Sequence, residues 1–148
     1  MPRSELRLDA VHGPILPVSL RPEPERAALL RQTGRAVPEQ VQGWALIDTG
    51  ARLSCIDNDV GHALYQQVGV VQALTPSTPD EEPHFAPVYY GYLVFGGVTL
   101  PSMEQTFLGM SLGHIVQGKP ILALLGRDWL GGVRMVYDGL AGKVDLEW

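Results

Sequence analysis

The sequence predicts a single all-β domain with one or two short helices, on three observations. The 17 glycines and 12 prolines among 148 residues cut the chain into runs of strand length. The runs between those turns are rich in Val, Ile, Leu and Tyr, which favour pleated, buried backbone. A content of 45% hydrophobic and 18% charged residues is globular and able to bury a core, and the length suits one domain.

Taken in order, residues 1–12 are polar and charged and read as a frayed, flexible terminus ahead of a domain over 13–148. Residues 13–20 (GPILPVSL) read as a strand with Ile15, Leu16, Val18 and Leu20 apolar, and Pro17 assigns it to a sheet edge where a missing N–H does no harm. Residues 21–41 are rich in charge and proline and form a surface insertion. A short helix is expected inside it over 24–32, with Pro24 early and Gly34 just past its end. Residues 43–47 (GWALI) are a continuous apolar run, the signature of a buried strand, and deliver the chain to Asp48-Thr49-Gly50-Ala51. A strand over 53–56 follows. Asp57 or Asn58 then caps a helix over 59–67, with Val60, Ala63, Leu64 and Val68 on its apolar face and Gly69 as its terminator.

Extended structure returns over 70–74, followed by the polar, acidic stretch 75–83 (TPSTPDEEP). Residues 85–95 make a long strand carrying Tyr89, Tyr90 and Tyr92, which Gly96-Gly97 turns back into a strand over 98–100. Further strands are expected over 105–110 and over 121–125 (ILALL), the latter ending at Gly126-Arg127-Asp128. Trp129 and Leu130 suit one helical turn, and residues 133–137 and 143–147 suit a closing hairpin around Asp138-Gly139.

Several function classes are disfavoured. The net charge is −5 and the basic residues are scattered, so a nucleic-acid partner is not expected. Cys55 is the sole cysteine, which excludes an internal disulfide and a cysteine metal cage and is compatible with a cytoplasmic location. No apolar run approaches the ~20 residues that span a bilayer, so no membrane segment is expected. His12, His62, His84 and His114 lack metal-binding spacing, and no phosphate-binding glycine pattern occurs; no metal or cofactor is expected. Ser54 and Cys55 lie near Asp48, but no histidine is fixed beside them as a base, and Cys55 falls on a buried strand position.

Asp48 is the residue whose setting points to chemistry. A carboxylate directly after a buried strand is partly withdrawn from water. Thr49 can brace the turn with its hydroxyl, Gly50 permits close approach, and Ala51 keeps the next position small. Asp-Thr-Gly alone also fits a structural Asx-turn. The wider run, Ala45-Leu46-Ile47-Asp48-Thr49-Gly50-Ala51-Arg52-Leu53-Ser54, resembles the active-site segment of retropepsin-like aspartic peptidases. Downstream, Ile121-Leu122-Ala123-Leu124-Leu125-Gly126-Arg127-Asp128 resembles that family's second signature, in the expected order and with the expected helix and long strands between. The resemblance covers roughly residues 13–148.

It implies a retropepsin-like acid-protease barrel that supplies one half-site per chain. The chain has one Asp-Thr-Gly, so a homodimer would bring two Asp48 carboxyls together to activate water for hydrolysis of a peptide or protein substrate. Thr49 would interlock with its symmetry mate, and Gly50 and Ala51 would line the floor of the cleft. A noncatalytic peptide-binding or dimerisation module of the same fold is the alternative. Two departures from the family stand out. Where an acidic partner for the second-motif arginine is usual, this chain has Arg52, so Arg127 loses that partner, and either an Arg52–Asp128 pair or an unpaired surface Arg52 is expected. The segment 74–88, in the place of the family's glycine-rich flap, has no glycine at its expected tip, 79–84, and carries an acidic cluster that reads as a solvated loop.

Overall fold

Alternation of apolar and polar side chains along the strands is resolved by closing a sheet on itself, which gives every inward-facing residue a common interior. The computed structural model describes residues 1–73 and 84–148. Their elements run β1 (Arg3–Arg7), β2 (Ile15–Arg21), α1 (Pro24–Gln32), β3 (Val41–Ile47), β4 (Cys55–Asp57), α2 (Asn58–Leu64), β5 (Gln66–Ala73), β6 (His84–Phe95), β7 (Met103–Met110), β8 (Ile115–Val116), β9 (Lys119–Leu125), α3 (Arg127–Leu130), β10 (Arg134–Asp138) and β11 (Lys143–Glu147).

Six strands close the barrel in the order β2-β3-β9-β4-β7-β6, and the pairing of β6 back onto β2, from Val18↔Phe95 to Arg21↔Tyr92, completes the ring. Leu16, Leu20, Ala45, Ile56, Leu93, Phe107, Leu122 and Leu125 fill its interior and are almost wholly buried. The protein is therefore mostly β with three short helices among the described residues. Two parallel pairs interrupt an otherwise antiparallel barrel. One is β3 with β9, which ends at Ile47↔Leu125; the other is β4 with β7. Because β9 lies between β3 and β4, the chain leaves β3, crosses the end of β9 and enters β4 on its far side. That crossing is the Asp48 loop.

Tyr89 helps seat the outer elements. It is 2% exposed, its hydroxyl donates to Asn58 Oδ1 at 3.1 Å, and its ring lies where a Cβ on Gly61 or Gly109 would collide with it. Tyr90 is partly exposed. The helix over 24–32 is α1 with the expected bounds, and Gly34 follows it at φ +70. Arg26 ties α1 to the domain through a 2.6 Å hydrogen bond to Leu64 O.

Four expectations are corrected. Residues 1–12 are not a frayed terminus: β1 pairs with β11 from Arg3↔Glu147 to Arg7↔Lys143. Leu6 packs with the fully buried Val144 and Leu146, while Arg3 and Glu5 pair with Asp145 and Lys143 at 3.0 and 2.8 Å. The charges that suggested fraying are the solvent face of a strand. Asp9 then turns the chain toward β2, its carboxyl held at a pKa of about 2, chiefly by the backbone N–H of His12 and next by that of Val11.

Pro17 does not mark an edge strand, since β2 pairs with both β3 and β6. It sits just before the β6 ladder begins, and its carbonyl accepts from Gly96 N–H at 2.8 Å, so its missing N–H falls at the ladder's end. The second helix stops at Leu64, short of 67. Tyr65 turns extended (φ −121, ψ 159) to bury its ring and donate to Tyr92 O at 2.6 Å, and Gly69 lies within β5 at a register irregularity. Residues 98–100 form no strand; Leu100 simply tucks into the core, where tertiary packing outweighs local pattern.

If the first strand is integral, Leu6→Ala will cost about 2–5 kcal/mol in urea unfolding, as a buried leucine does. A loss below about 0.5 kcal/mol, the range of surface substitutions, would mean that β1 contributes nothing to the fold.

Candidate functional site

The two sequence motifs end side by side because β3 and β9 are parallel neighbours that stop together. Asp48 N–H donates to Leu125 O at 2.9 Å, extending the ladder by one bond and fixing where the carboxyl-bearing residue leaves the sheet. The Asp48 side chain then folds back on its own turn, with Oδ1 accepting from Gly50 N–H at 2.9 Å, while Ala51 N–H reaches Asp48 O at 3.2 Å. Asp48 is half-buried, Thr49 and Gly50 are exposed and Ala51 is half-buried. Oδ2 of Asp48 accepts no hydrogen bond from the described residues.

The second motif holds this loop from beneath. Leu125 is fully buried and anchors the strand end. At Gly126 a Cβ would stand 2.8–2.9 Å from the Leu53 carbonyl carbon and the Ala51 and Leu53 oxygens, so only glycine lets the crossing loop lie this close. Arg127 N–H donates to Ala51 O at 2.9 Å and Asp128 N–H to Arg52 O at 3.2 Å. The Arg127 guanidinium reaches Thr49 O and Gly50 O at 3.0 and 3.2 Å, taking up the carbonyls that the turn leaves outward. Such charge-assisted bonds to backbone oxygen are among the stronger contacts available to an exposed loop.

Asp128 closes the arrangement. Its carboxylate accepts Ser54 N–H at 3.0 Å, Ser54 Oγ–H at 2.7 Å and Gln105 Nε2–H at 3.1 Å, and Ser54 Oγ in turn accepts Gly126 N–H at 3.0 Å. The Arg52–Asp128 pairing is thereby corrected: Asp128 is occupied by Ser54 and Gln105 and meets Arg52 only through backbone, and Arg52 forms no ion pair among the described residues. The Arg127 guanidinium is bonded to loop carbonyls instead of a carboxylate. Thr49 was expected to brace the turn, yet its hydroxyl makes no hydrogen bond among the described residues; Arg127 and Ser54 do that work.

No family model, curated protein or solved structure matches this chain.

The site is therefore characterised by its own geometry. All eight residues singled out from the two motifs come together around one loop, and Ser54 and Gln105 join them. In the sequence Ser54 ended the first motif run and was set aside as a nucleophile; it is wholly buried and engaged in hydrogen bonds. Its signal was a hydroxyl in a run that enters a buried strand. Gln105, on β7, carried no signal, since only the folded sheet brings it to Asp128. Cys55 is 4% exposed, and burial, with lesser contributions from Asp128 and Asp48, pushes its thiol up to about 11. It stays protonated at neutral pH and is a poor nucleophile.

Among the described residues no group of three or more His, Cys, Asp or Glu is arranged to hold a metal ion. No helix among them is long and apolar enough to cross a membrane. Most of the expected flap segment 74–88, its acidic cluster included, lies outside the described residues.

Ser54→Ala should strip Gly126 N–H of its acceptor and Asp128 of its shortest bond. A loss of about 1–3 kcal/mol by urea unfolding is expected, the cost of a buried polar group left unpaired. An unchanged midpoint would show that the Ser54 hydroxyl does not hold the loop.

Proposed function

We propose that this chain is one half of a retropepsin-like aspartic endopeptidase, active as a homodimer in which two Asp48 carboxyls share a site. The observation that carries the reading is the presentation of Asp48. Its loop is locked through main-chain bonds to a second motif, one carboxylate oxygen is oriented by Gly50 N–H, and the other accepts no hydrogen bond among the described residues. The Asp48 Oδ1 bond to Gly50 N–H is also that of a structural Asx-turn; what favours chemistry is the second motif locked to the same loop, while Asp48 caps no helix and forms no ion pair among the described residues.

The chemistry requires the second copy. Two carboxyls a few ångströms apart resist ionising together, so they hold one proton between them and titrate as a pair. The ionised member takes a proton from water as the water oxygen attacks the scissile carbonyl carbon. The protonated member donates to the carbonyl oxygen as it gains charge. Collapse of the tetrahedral intermediate breaks the C–N bond, with a proton delivered to the leaving nitrogen. The chain supplies one Asp-Thr-Gly loop, so the second carboxyl comes from a second chain. Thr49 is exposed and its hydroxyl makes no hydrogen bond among the described residues, which is consistent with a contact across that two-fold axis.

Asp48→Asn should abolish cleavage of a peptide library at acidic pH, while far-ultraviolet circular dichroism and sedimentation stay unchanged. Undiminished turnover would refute the peptidase reading. Absence of turnover in the wild-type dimer, with peptides still bound, would favour a noncatalytic peptide-binding module.

A further inference from the structure

An acid withdrawn from water is normally hydrogen-bonded or ion-paired, because a buried charge without a partner is costly. Glu23 is neither. It is 6% exposed, its Oε2 is buried with no hydrogen-bond partner, and it forms no ion pair among the described residues. It is the N-cap residue of α1, yet its side chain makes no capping bond; only its carbonyl serves the helix, accepting Ala27 N–H at 2.9 Å. The helix dipole favours an acid at this end, but the exposed Glu25 in the first turn supplies one without burial.

Two arginines stand close to Glu23 in the chain and do not neutralise it. Arg21 donates from Nε to Ser19 Oγ at 3.2 Å, and Arg26 donates from Nη1 to Leu64 O at 2.6 Å. Both guanidinium groups are turned to oxygens elsewhere.

The sheet sets aromatic rings and further acids beside this carboxylate. Arg21 pairs with Tyr92 of β6, and Tyr92 pairs on its other side with Glu104 of β7. Counted on antiparallel from Arg21, Glu23 comes level with Tyr90, which shares a face of β6 with Tyr92. That face is the outer one, since Gly91 and Leu93, which alternate with the two tyrosines, are buried. Tyr90 is 39% exposed, Tyr92 is half-buried and Glu104 is exposed. The Tyr90 phenol is held above its ordinary range, first by desolvation and then by the carboxylates of Glu104, Glu23 and Glu25, so three acids surround one ring. No three acids among the described residues are grouped to hold a metal ion. Carboxylates beside phenol rings suit an organic cation instead. A guanidinium suits them best, because its plane stacks on an aromatic ring while its forked N–H groups meet a carboxylate.

We propose that the outer face around Glu23, Tyr90, Tyr92 and Glu104 binds an arginine side chain of a partner protein, with the guanidinium paired to the Glu23 carboxylate and stacked on a tyrosine ring. None of these residues belongs to the Asp48 loop, so the inference stands apart from the peptidase reading.

The test is a titration of the full chain with a blocked glycyl-arginyl-glycine peptide, followed by amide and tyrosine-ring resonances, beside the lysine counterpart. The arginine peptide should shift Glu23, Tyr90 and Tyr92 and bind more tightly than the lysine peptide. Glu23→Gln should weaken arginine binding by about tenfold or more, as loss of one member of a desolvated charge pair does. Glu5→Gln, the same change of net charge on the terminal sheet, should leave it unaltered. Without peptide, Glu23→Gln should keep or raise the urea midpoint, because it removes an unpaired buried charge. A wild-type chain whose Tyr90 and Tyr92 resonances do not move would overturn the site. So would equal binding of the lysine peptide, or a Glu23→Gln variant that binds as tightly as the wild type. A lowered urea midpoint in that variant would show that the carboxylate holds the fold, and would also overturn it.

Discussion

The hold that β9 and its following turn exert on the Asp48 loop is the constraint from which the rest of the arrangement follows. A loop that crosses the end of a strand would ordinarily be free to move, because its backbone has no ladder to join. Here Leu125 O, Gly126, Arg127 and Asp128 give it one. Asp48, Ala51, Arg52 and Ser54 all find partners on that segment, and the Arg127 side chain covers the two carbonyls left over. The Asp48 backbone is thereby held by the ladder, and its carboxyl is oriented by the Gly50 N–H.

Barrel closure makes this hold rigid. Strands β3 and β9 are joined in parallel with Ile47 and Leu125 buried at their ends, so the two motifs cannot slide past each other without exposing core. Ser54 adds a buried polar link between strand and turn. Fully satisfied groups of this kind specify one arrangement, since every alternative leaves an unpaired donor or acceptor in the interior. Gln105 extends the link to β7, so the loop answers to three strands of the barrel at once.

Much of this was legible in the sequence, and the failures have physical causes. The apolar runs at 43–47 and 121–125 announced themselves because a doubly buried strand tolerates no polar residue. Pro24 and Gly34 bracketed α1 because their backbone limits are local. Side-chain partnerships were not legible. Asp128 could as well have met Arg52 by charge alone, and only the sheet shows that Ser54 and Gln105 arrive first. The terminal strand was misjudged for a related reason: Arg3, Glu5 and Arg7 look like a solvated tail until Asp145 and Lys143, some 140 residues on, stand beside them. Tyr65 broke the second helix early because a long-range hydrogen bond and burial outweighed helical spacing.

Amide hydrogen exchange read residue by residue tests the hold on the loop most directly. If Asp48, Gly126, Arg127 and Asp128 are bonded as described, their amides will exchange as slowly as those in the middle of β3 and β9, opening only with the barrel. Exchange of these four at the pace of an unprotected surface loop, with the strands themselves still protected, would contradict the account.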